Sequence, residues 1–322
     1  VTAQAPPAKQ ERHDAAMNIY LPIAEMSVSV FLFMGMGAAV GFLSGMFGVG
    51  GGFLMTPLLI LSGIPSPIAV GTEAAQIVAS SVSGALAQWR RKNIDIKMGT
   101  VLLTGGLVGS VLGVQTVSVL RRTGQFDLVI TLCYVTLLGV VGALMMVGSL
   151  TTIRKTQSGK PAGLKKSGQH SWIHGLPFKT RFPRSKLYIS VIPPVLIGLF
   201  IGFLSGIMGV GGGFILVPAM IYLLKMPTNV VVGTSLYQIM FVTAATTVMQ
   251  AWWNFTVDIV LAIILMVGGV IGAQLGAAAG AKHQAEQLRF LLAGFVLLVA
   301  IRMAYQLVAH PGELYTIGAG GH

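Results

Sequence analysis

The stretch GFLSGMFGVGGGFLMTP at residues 41–57 returns in the second half of the chain as GFLSGIMGVGGGFILVP at residues 202–218, with twelve of seventeen positions identical. Glycine costs about 1 kcal/mol relative to alanine inside a helix, so three in a row interrupt the apolar sequence around them. Two further blocks repeat in the same order: VGTEAAQ at 70–76 with VGTSLYQ at 232–238, and GGLVGSVLG at 105–113 with GGVIGAQLG at 268–276. The three pairs indicate an internal duplication.

The composition is that of a protein that lies in a membrane. The chain has 322 residues, of which 54% are hydrophobic and 9% charged, against about 25% charged in a typical soluble domain. A transmembrane β-barrel would show alternating apolar and polar residues, whereas this sequence holds continuous apolar runs. We therefore predict an all-α integral membrane protein made of two homologous halves.

Ten apolar segments predict the helices. Two short segments, 53–64 and 214–225, follow the glycine clusters, and at about 1.5 Å per residue each reaches roughly half-way across a bilayer. We predict that they form two short Gly-led helices, broken or re-entrant. Eight long segments predict transmembrane helices; they lie at residues 26–48, 70–89, 98–120, 126–150, 187–209, 230–252, 257–281 and 288–308.

The duplication divides the chain into five parts. We expect a polar N-terminal tail at 1–25, a first transmembrane repeat at 26–150, a second at 187–308 and a C-terminal tail at 309–322. Residues 151–186, between the repeats, hold nine basic side chains and no acidic one. Such a segment buries too little apolar area to fold alone, which predicts a basic cytoplasmic linker.

The two repeats have either the same or the opposite direction across the membrane. Four crossings per repeat give parallel repeats and five give inverted ones, and the positive-inside rule favours neither, because equal numbers of basic residues lie outside in both arrangements. The basic loop WRRKNID at 89–95 corresponds to AWWNFTVD at 251–258, which has no basic residue. Opposite sides of the membrane explain this difference, so we favour inverted repeats.

Several classes of function are excluded by composition. The net charge is +12, but most basic residues lie in loops beside the spans and no aromatic platform accompanies them, so we expect no nucleic-acid partner. The single Cys133 excludes a CxxC centre, and the six histidines form no HExxH motif. We expect no metal, no cofactor and no enzyme activity, and the sequence holds no P-loop for ATP.

The glycine clusters Gly50–Gly52 and Gly211–Gly213 are the first candidate binding residues. Unwound backbone inside a membrane is tolerated only when it is buried in protein or lines a wet cavity. Followed by a helix, it combines free N–H groups with the positive end of a helix dipole, which binds anions without a basic side chain. Packing of helices explains single glycines at small-xxx-small spacing better than it explains three in a row. The six residues are Gly50, Gly51, Gly52, Gly211, Gly212 and Gly213.

A polar stripe supplies further candidates. Thr72, Gln76, Ser80 and Ser83 fall on one face of a helix. Thr234 and Gln238 repeat the start of this stripe, and Thr243 and Thr246 continue it loosely. Hydroxyl and amide groups can donate hydrogen bonds to an oxyanion, and they can equally join helices to one another. We take Thr72, Gln76, Thr234 and Gln238 as candidate substrate ligands and leave both interpretations open.

Glu73 differs between the repeats, because its counterpart is Ser235. A carboxyl in an apolar segment is a candidate proton carrier in a transporter. The alternative is that Glu73 opens a helix, where an acidic residue complements the helix dipole.

With the doubled glycine motif and with GTEAAQ and GTSLYQ after it, the chain resembles the sulfite exporter TauE/SafE family from about residue 26 to 308. The resemblance implies a polytopic membrane protein, in a bacterial inner membrane, that moves sulfite, sulfoacetate or related organosulfonate anions. It implies a role for both glycine clusters, and it leaves the individual substrate open.

The residues and the resemblance together predict a secondary transporter of small sulfur-containing anions that works by alternating access around two Gly-rich loops. The alternative is an anion channel, or a membrane assembly protein without coupled transport. The expected partners are a small anionic substrate and the lipid bilayer, and a homodimer is left open.

Overall fold

The computed structural model describes residues 18–47, 52–157, 177, 179–185, 187–280 and 285–309. Within these residues the chain forms ten α-helices and two antiparallel hairpins. The first half holds β1 Asn18–Leu21, β2 Met26–Ser29, α1 Val30–Phe47, α2 Gly52–Leu61, α3 Ser66–Arg90, α4 Ile96–Arg122 and α5 Phe126–Gln157. The second half holds β3 Lys179–Phe182, β4 Leu187–Ser190, α6 Ile192–Met208, α7 Gly213–Tyr222, α8 Thr228–Met249, a π-helical turn Gln250–Asn254, α9 Ile259–Gly280 and α10 Ala285–Ala309.

Both halves therefore contain the same elements in the same order: a hairpin, a helix, a short Gly-led helix and three long helices. The hairpins extend each repeat beyond its predicted range, because β1 lies within 1–25 and β3 within 151–186. The sequence does contain a signal for the two hairpins. Pro22 is repeated as Pro183 and Ser29 as Ser190, at the same interval that separates the two copies of the glycine motif.

Five of the described helices are long and apolar enough to cross a membrane, fewer than the eight long spans predicted. α1 and α6 have 18 and 17 residues, because the first residues of the predicted spans form strands β2 and β4. The polar stripe lowers the hydropathy of α3. The short helices begin at Gly52 and Gly213, as predicted, and each has ten residues. The five spans are Ile96–Arg122, Phe126–Leu150, Val230–Asn254, Ile259–Gly276 and Leu292–Ala309.

The two halves are interleaved, because the first helix of each half packs on the fourth helix of the other: α1 on α9, and α6 on α4. Glycine allows the two backbones to touch. A Cβ on Gly41 would lie 2.3 Å from the carbonyl oxygen of Gly269, and one on Gly109 would lie 2.0 Å from that of Leu199. These glycines have the packing role that small residues have at close helix crossings.

The contacts also give the directions of the helices. Gly41 faces Gly269 and Gly45 faces Ala273, so α1 and α9 run in the same direction. By contrast, α3 and α8 run in opposite directions, because each begins beside the end of the other. Thr72, near the start of α3, contacts Asp258 after α8, and Thr234, near the start of α8, contacts Asp95 after α3.

Asp95 and Asp258 are equivalent residues that sequence analysis did not select, and each ties one half to the other. The Asp95 carboxylate accepts the Met98 N–H at the start of α4 and both the N–H and the hydroxyl of Ser185 in the second hairpin. The Asp258 carboxylate caps α9 and accepts the Ile23 N–H in the first hairpin. The loop WRRKNID ends in Asp95 and the equivalent loop AWWNFTVD ends in Asp258. This shared ending is the sequence signal from which the two aspartates could have been predicted.

We expect Gly109→Ala to lower the thermal unfolding temperature in detergent by several degrees, because the added methyl would lie 2.0 Å from the Leu199 carbonyl oxygen and must push α4 from α6. The matched control is Gly139→Ala in α5, where a Cβ meets no atom within 4 Å and alanine gains about 1 kcal/mol of helix propensity. Equal unfolding temperatures for the two variants would contradict the close crossing.

Candidate functional site

The second glycine cluster leaves the helical conformation, as its sequence predicts. Gly209, Gly211 and Gly212 have φ angles of +69°, +69° and +70°, a region that residues with a side chain rarely adopt. Gly209 ends α6, its N–H donating to the Ser205 carbonyl, and Gly212 precedes the first residue of α7. Among the residues that the structure describes, no acceptor takes a hydrogen bond from the N–H groups of Gly211 and Gly212.

The two glycine clusters meet near the middle of α3. A Cβ on Gly52 would lie 2.2 Å from Cδ1 of Ile77 and 3.0 Å from the carbonyl oxygen of Val210. One on Gly211 would lie 3.0 Å from Cγ2 of the same Ile77. Gly50 and Gly51, the remaining predicted residues of the first cluster, lie outside the described residues.

Phe53 and Phe214 lie where the short helices α2 and α7 begin. They are equivalent residues of the two repeats, and their rings stack with centroids 4.9 Å apart and planes inclined by 25°. Both side chains are buried. Since each residue directly follows its glycine cluster, the stack places the beginnings of the two short helices side by side.

Gln76 and Gln238 occupy equivalent positions on α3 and α8, and both side chains are buried. Each lies against a glycine of the other half. A Cβ on Gly269 would lie 2.0 Å from Nε2 of Gln76, and one on Gly106 would lie 2.6 Å from Nε2 of Gln238. The second glycine of each GG pair therefore leaves room for a buried glutamine.

Several buried polar atoms near the glycine clusters have no hydrogen-bond partner among the described residues. They include both carboxylate oxygens of Glu73, Oε1 of Gln76, and both amide atoms of Gln238. Most buried polar atoms in native proteins are hydrogen-bonded, to protein or to bound solvent. Three side chains on two crossing helices thus offer unused hydrogen-bonding capacity inside the protein.

Thr72 and Thr234 have a structural role. The Thr72 hydroxyl accepts the N–H of Asp258 at 3.0 Å, and the Thr234 hydroxyl accepts the N–H of Asp95 at 3.0 Å. The hydroxyl proton of each remains able to donate. Further along the stripes, the hydroxyls of Ser80, Thr243 and Thr246 donate to carbonyls of their own helices.

Comparison with known proteins identifies the family. The model of the family described as Sulfite exporter TauE/SafE matches residues 33–303. The chain belongs to the sulfite exporter TauE/SafE family. It is 28% identical over 278 residues to "Probable membrane transporter protein YjnA" of Bacillus subtilis (strain 168), a match that covers 86% of this chain and 100% of that protein.

Two further relatives have similar names. "Probable membrane transporter protein YunE" of the same strain is 25% identical over 87% of this chain and 98% of its own length. A "Probable membrane transporter protein" of Xylella fastidiosa (strain 9a5c) is 28% identical over 244 residues, which cover 75% of this chain and 81% of that protein. No solved structure matches the chain. This TauE/SafE member is a multi-pass membrane protein of a transporter family.

Glu73 is the residue at which the halves of this TauE/SafE protein differ most sharply. The Ser235 hydroxyl donates to the Val232 carbonyl of its own helix, whereas the fully buried Glu73 carboxylate has no hydrogen-bond partner within the described part of the chain. Because α3 begins at Ser66, Glu73 lies two turns inside the helix. A terminal dipole acts mainly within the first turn, so the dipole interpretation of Glu73 was wrong.

Proposed function

We propose that this chain is a secondary transporter of a small sulfur-containing anion, such as sulfite or an organosulfonate, which binds where the two glycine clusters meet. The buried Gln238 amide carries the proposal, because its Nε2 is a donor without a partner among the described residues. A buried donor without a partner costs free energy, and an oxygen of the bound anion would accept its hydrogen bond. The family described as Sulfite exporter supports the choice of anion.

The ligands of the anion are neutral in this proposal. Its oxygens accept hydrogen bonds from the amides of Gln76 and Gln238 and from the N–H groups of Gly211 and Gly212, and the Thr72 and Thr234 hydroxyls can add to them. Neutral donors hold an anion less tightly than an arginine does. Binding without a fixed positive charge suits a transporter, which must release its solute on the far side.

We also propose that the two halves are inverted repeats. The support comes from α3 and α8, which are equivalent and antiparallel, and from the side-by-side start of the two short helices. The α1–α2 pair then enters from one face of the membrane and the α6–α7 pair from the other. Alternating access follows if one pair and its partner helices rock against the other pair around the anion.

The basic end of the molecule faces the cytoplasm in this arrangement. We define the basic end as the turn between α3 and α4, the helix ends beside it and the second hairpin, which carry Arg90, Arg91, Lys92, Lys97 and Arg184. The opposite end holds Arg121 and Arg122 at the end of α4. The positive-inside rule assigns the richer side to the cytoplasm with four or with five crossings per repeat, so the antiparallel α3 and α8, and not the charges, support the five-crossing alternative.

We expect Gln76→Leu with Gln238→Leu to reduce sulfite transport in proteoliposomes more than tenfold while thermal stability stays equal or rises. Leucine removes unpaired polar atoms at similar volume, which is nearly neutral or stabilising for the fold. Gln125→Leu, at an exposed position between α4 and α5, is the matched control and keeps the transport rate.

A thermal-shift series with sulfite, sulfoacetate, taurine and thiosulfate identifies the anion, since a bound ligand stabilises by mass action. The double leucine variant should lose the shift that the preferred anion gives to the parent. Full transport by this variant would place the anion elsewhere. A steady, non-saturating current would indicate a channel instead.

A further inference from the structure

A cleft of about 280 Å³ opens between α1, α3, α8 and α9 on the side of the basic end, and most of its surface is apolar. Its lining includes polar side chains from three of these helices. They are Ser44, Ser80, Ser83, Gln88, Arg91 and Gln274. Among the described residues that line the cleft, none carries a carboxylate, so its single formal charge is the positive charge of Arg91.

The cleft runs from the surface toward the glycine clusters. Arg91 caps the end of α3 and is exposed, and Ser83 is half-buried about 12 Å deeper along the same helix axis. Ser80 and Ser44 are buried, with 6% and 8% of their surface exposed. Gly45, beside Ser44, also lines the cleft and lies shortly before the first glycine cluster in the chain.

The equivalent region of the second half holds a network of side-chain hydrogen bonds. Gln250 is the counterpart of Gln88, and its Nε2 donates across to the carbonyl oxygen of Gly206 at 3.1 Å. The Asn254 amide donates to Oε1 of Gln250 at 2.7 Å. In α4, the Ser118 hydroxyl donates to the side-chain oxygen of Asn254 at 2.7 Å. The Arg121 guanidinium donates to the backbone carbonyl oxygen of Asn254, also at 2.7 Å.

Gln88 makes a different contact. Its Oε1 accepts the side-chain amide of Asn93, in the turn at the basic end, at 3.1 Å. One glutamine is thus bonded toward the surface beside an open cleft, while its counterpart, which belongs to the π-helical turn, is bonded into the protein. The two ends of the molecule differ at equivalent positions, as an alternating-access transporter requires when one side is open and the other closed.

We propose that this cleft is the vestibule through which an oxyanion reaches the glycine clusters from the basic end, with Arg91 concentrating the anion at its mouth. The Gln250–Asn254 network closes the equivalent path at the opposite end. The proposal rests on the proposed function, because it assumes that the solute is an anion bound between the glycine clusters. Serine hydroxyls and amides inside the cleft replace part of the hydration shell of the anion.

Cysteine labelling tests the vestibule without requiring transport. In a Cys133→Ser background, which removes the single native cysteine, Ser83→Cys is compared with Ala245→Cys, its counterpart in the second half. Purified protein in detergent reacts with an anionic methanethiosulfonate, the 2-sulfonatoethyl reagent, and with neutral methyl methanethiosulfonate. We expect Ser83→Cys to react at least tenfold faster than Ala245→Cys with both reagents. Ala87→Cys, which also lines the cleft, repeats the measurement if Ser83→Cys does not fold.

The effect of the Arg91 charge is measured by the labelling rate of Ser83→Cys with the anionic reagent. Over about 12 Å one positive charge changes the local anion concentration about two- to threefold. Arg91→Gln should therefore slow the anionic reagent at Ser83→Cys by that factor and leave the neutral reagent unchanged. Arg90→Gln, which alters a neighbouring arginine that lines a separate surface cavity, should slow the anionic reagent less than Arg91→Gln does and leave the neutral reagent unchanged.

The last experiment breaks the Gln250–Asn254 network. Asn254→Ala should raise the labelling rate of Ala245→Cys several-fold and leave that of Ser83→Cys unchanged. Equal labelling of the two cysteines in the parent, an anionic rate insensitive to Arg91→Gln, or an Ala245→Cys rate insensitive to Asn254→Ala would overturn the proposal. Since labelling does not depend on the transported anion, a failed transport assay with intact labelling would count against the proposed function alone.

Discussion

Gly212→Val is expected to abolish anion transport while the protein still inserts into the membrane. Gly212 has a φ of +70° at the start of α7, and a β-branched residue is strained in this region. Its Cβ would also lie 2.2 Å from Cγ2 of Ile201. The turn must therefore change its conformation, which moves the N–H groups of Gly211 and Gly212 that are proposed to bind the anion.

The measurement is uptake of labelled sulfite into proteoliposomes, with monodispersity in detergent as the test of folding. Gly139→Val is the matched control, because a Cβ at Gly139 contacts nothing within 4 Å, and it should keep the parental rate. Gly211→Ala is the milder variant, since its Cβ would lie 3.0 Å from the nearest side-chain methyl groups. A folded Gly212→Val protein with normal uptake would exclude the second glycine cluster as an anion site.

Glu73→Gln is expected to abolish accumulation of the anion on an imposed pH gradient while exchange of the anion across the membrane continues. A proton carrier must be protonated in one access state and ionised in the other. Glutamine keeps the size of the side chain but cannot titrate. The buried Glu73 carboxylate has no partner within the described residues and no carboxylate counterpart at Ser235, so a single group would carry the proton.

Liposomes with a pH step applied across the membrane measure this difference. Glu25→Gln, an exposed residue in the turn of the first hairpin, is the control and should accumulate the anion like the parent. If Glu73→Gln also accumulates the anion to the parental level, Glu73 is not the proton carrier. The anion site itself would stand, because its ligands are tested separately through Gln76 and Gln238.

The membrane class, the duplication, the short helices and the family follow from the sequence alone. Each depends on a local or periodic property of the chain: long apolar runs, a motif that occurs once in each half, and glycines that cannot continue a helix. Five of the described helices, and not eight, are long and apolar enough for a span. Residues 26–29 and 187–190, predicted as the starts of two spans, form strands β2 and β4, so α1 and α6 are shorter than hydropathy predicts. The polar stripe lowers the hydropathy of α3.

Only the tertiary structure decided which residues of the two halves meet. Gln76 contacts Gly269, Gln238 contacts Gly106, and Phe53 stacks on Phe214, and in each pair the two residues belong to different halves of the chain. A duplicated sequence is equally compatible with halves that pack side by side and with halves that interleave, because the apolar stripe of a helix does not specify its partner. The interleaved arrangement follows from the fit of glycine-lined backbones, α1 on α9 and α6 on α4, which exists only once the helices are packed.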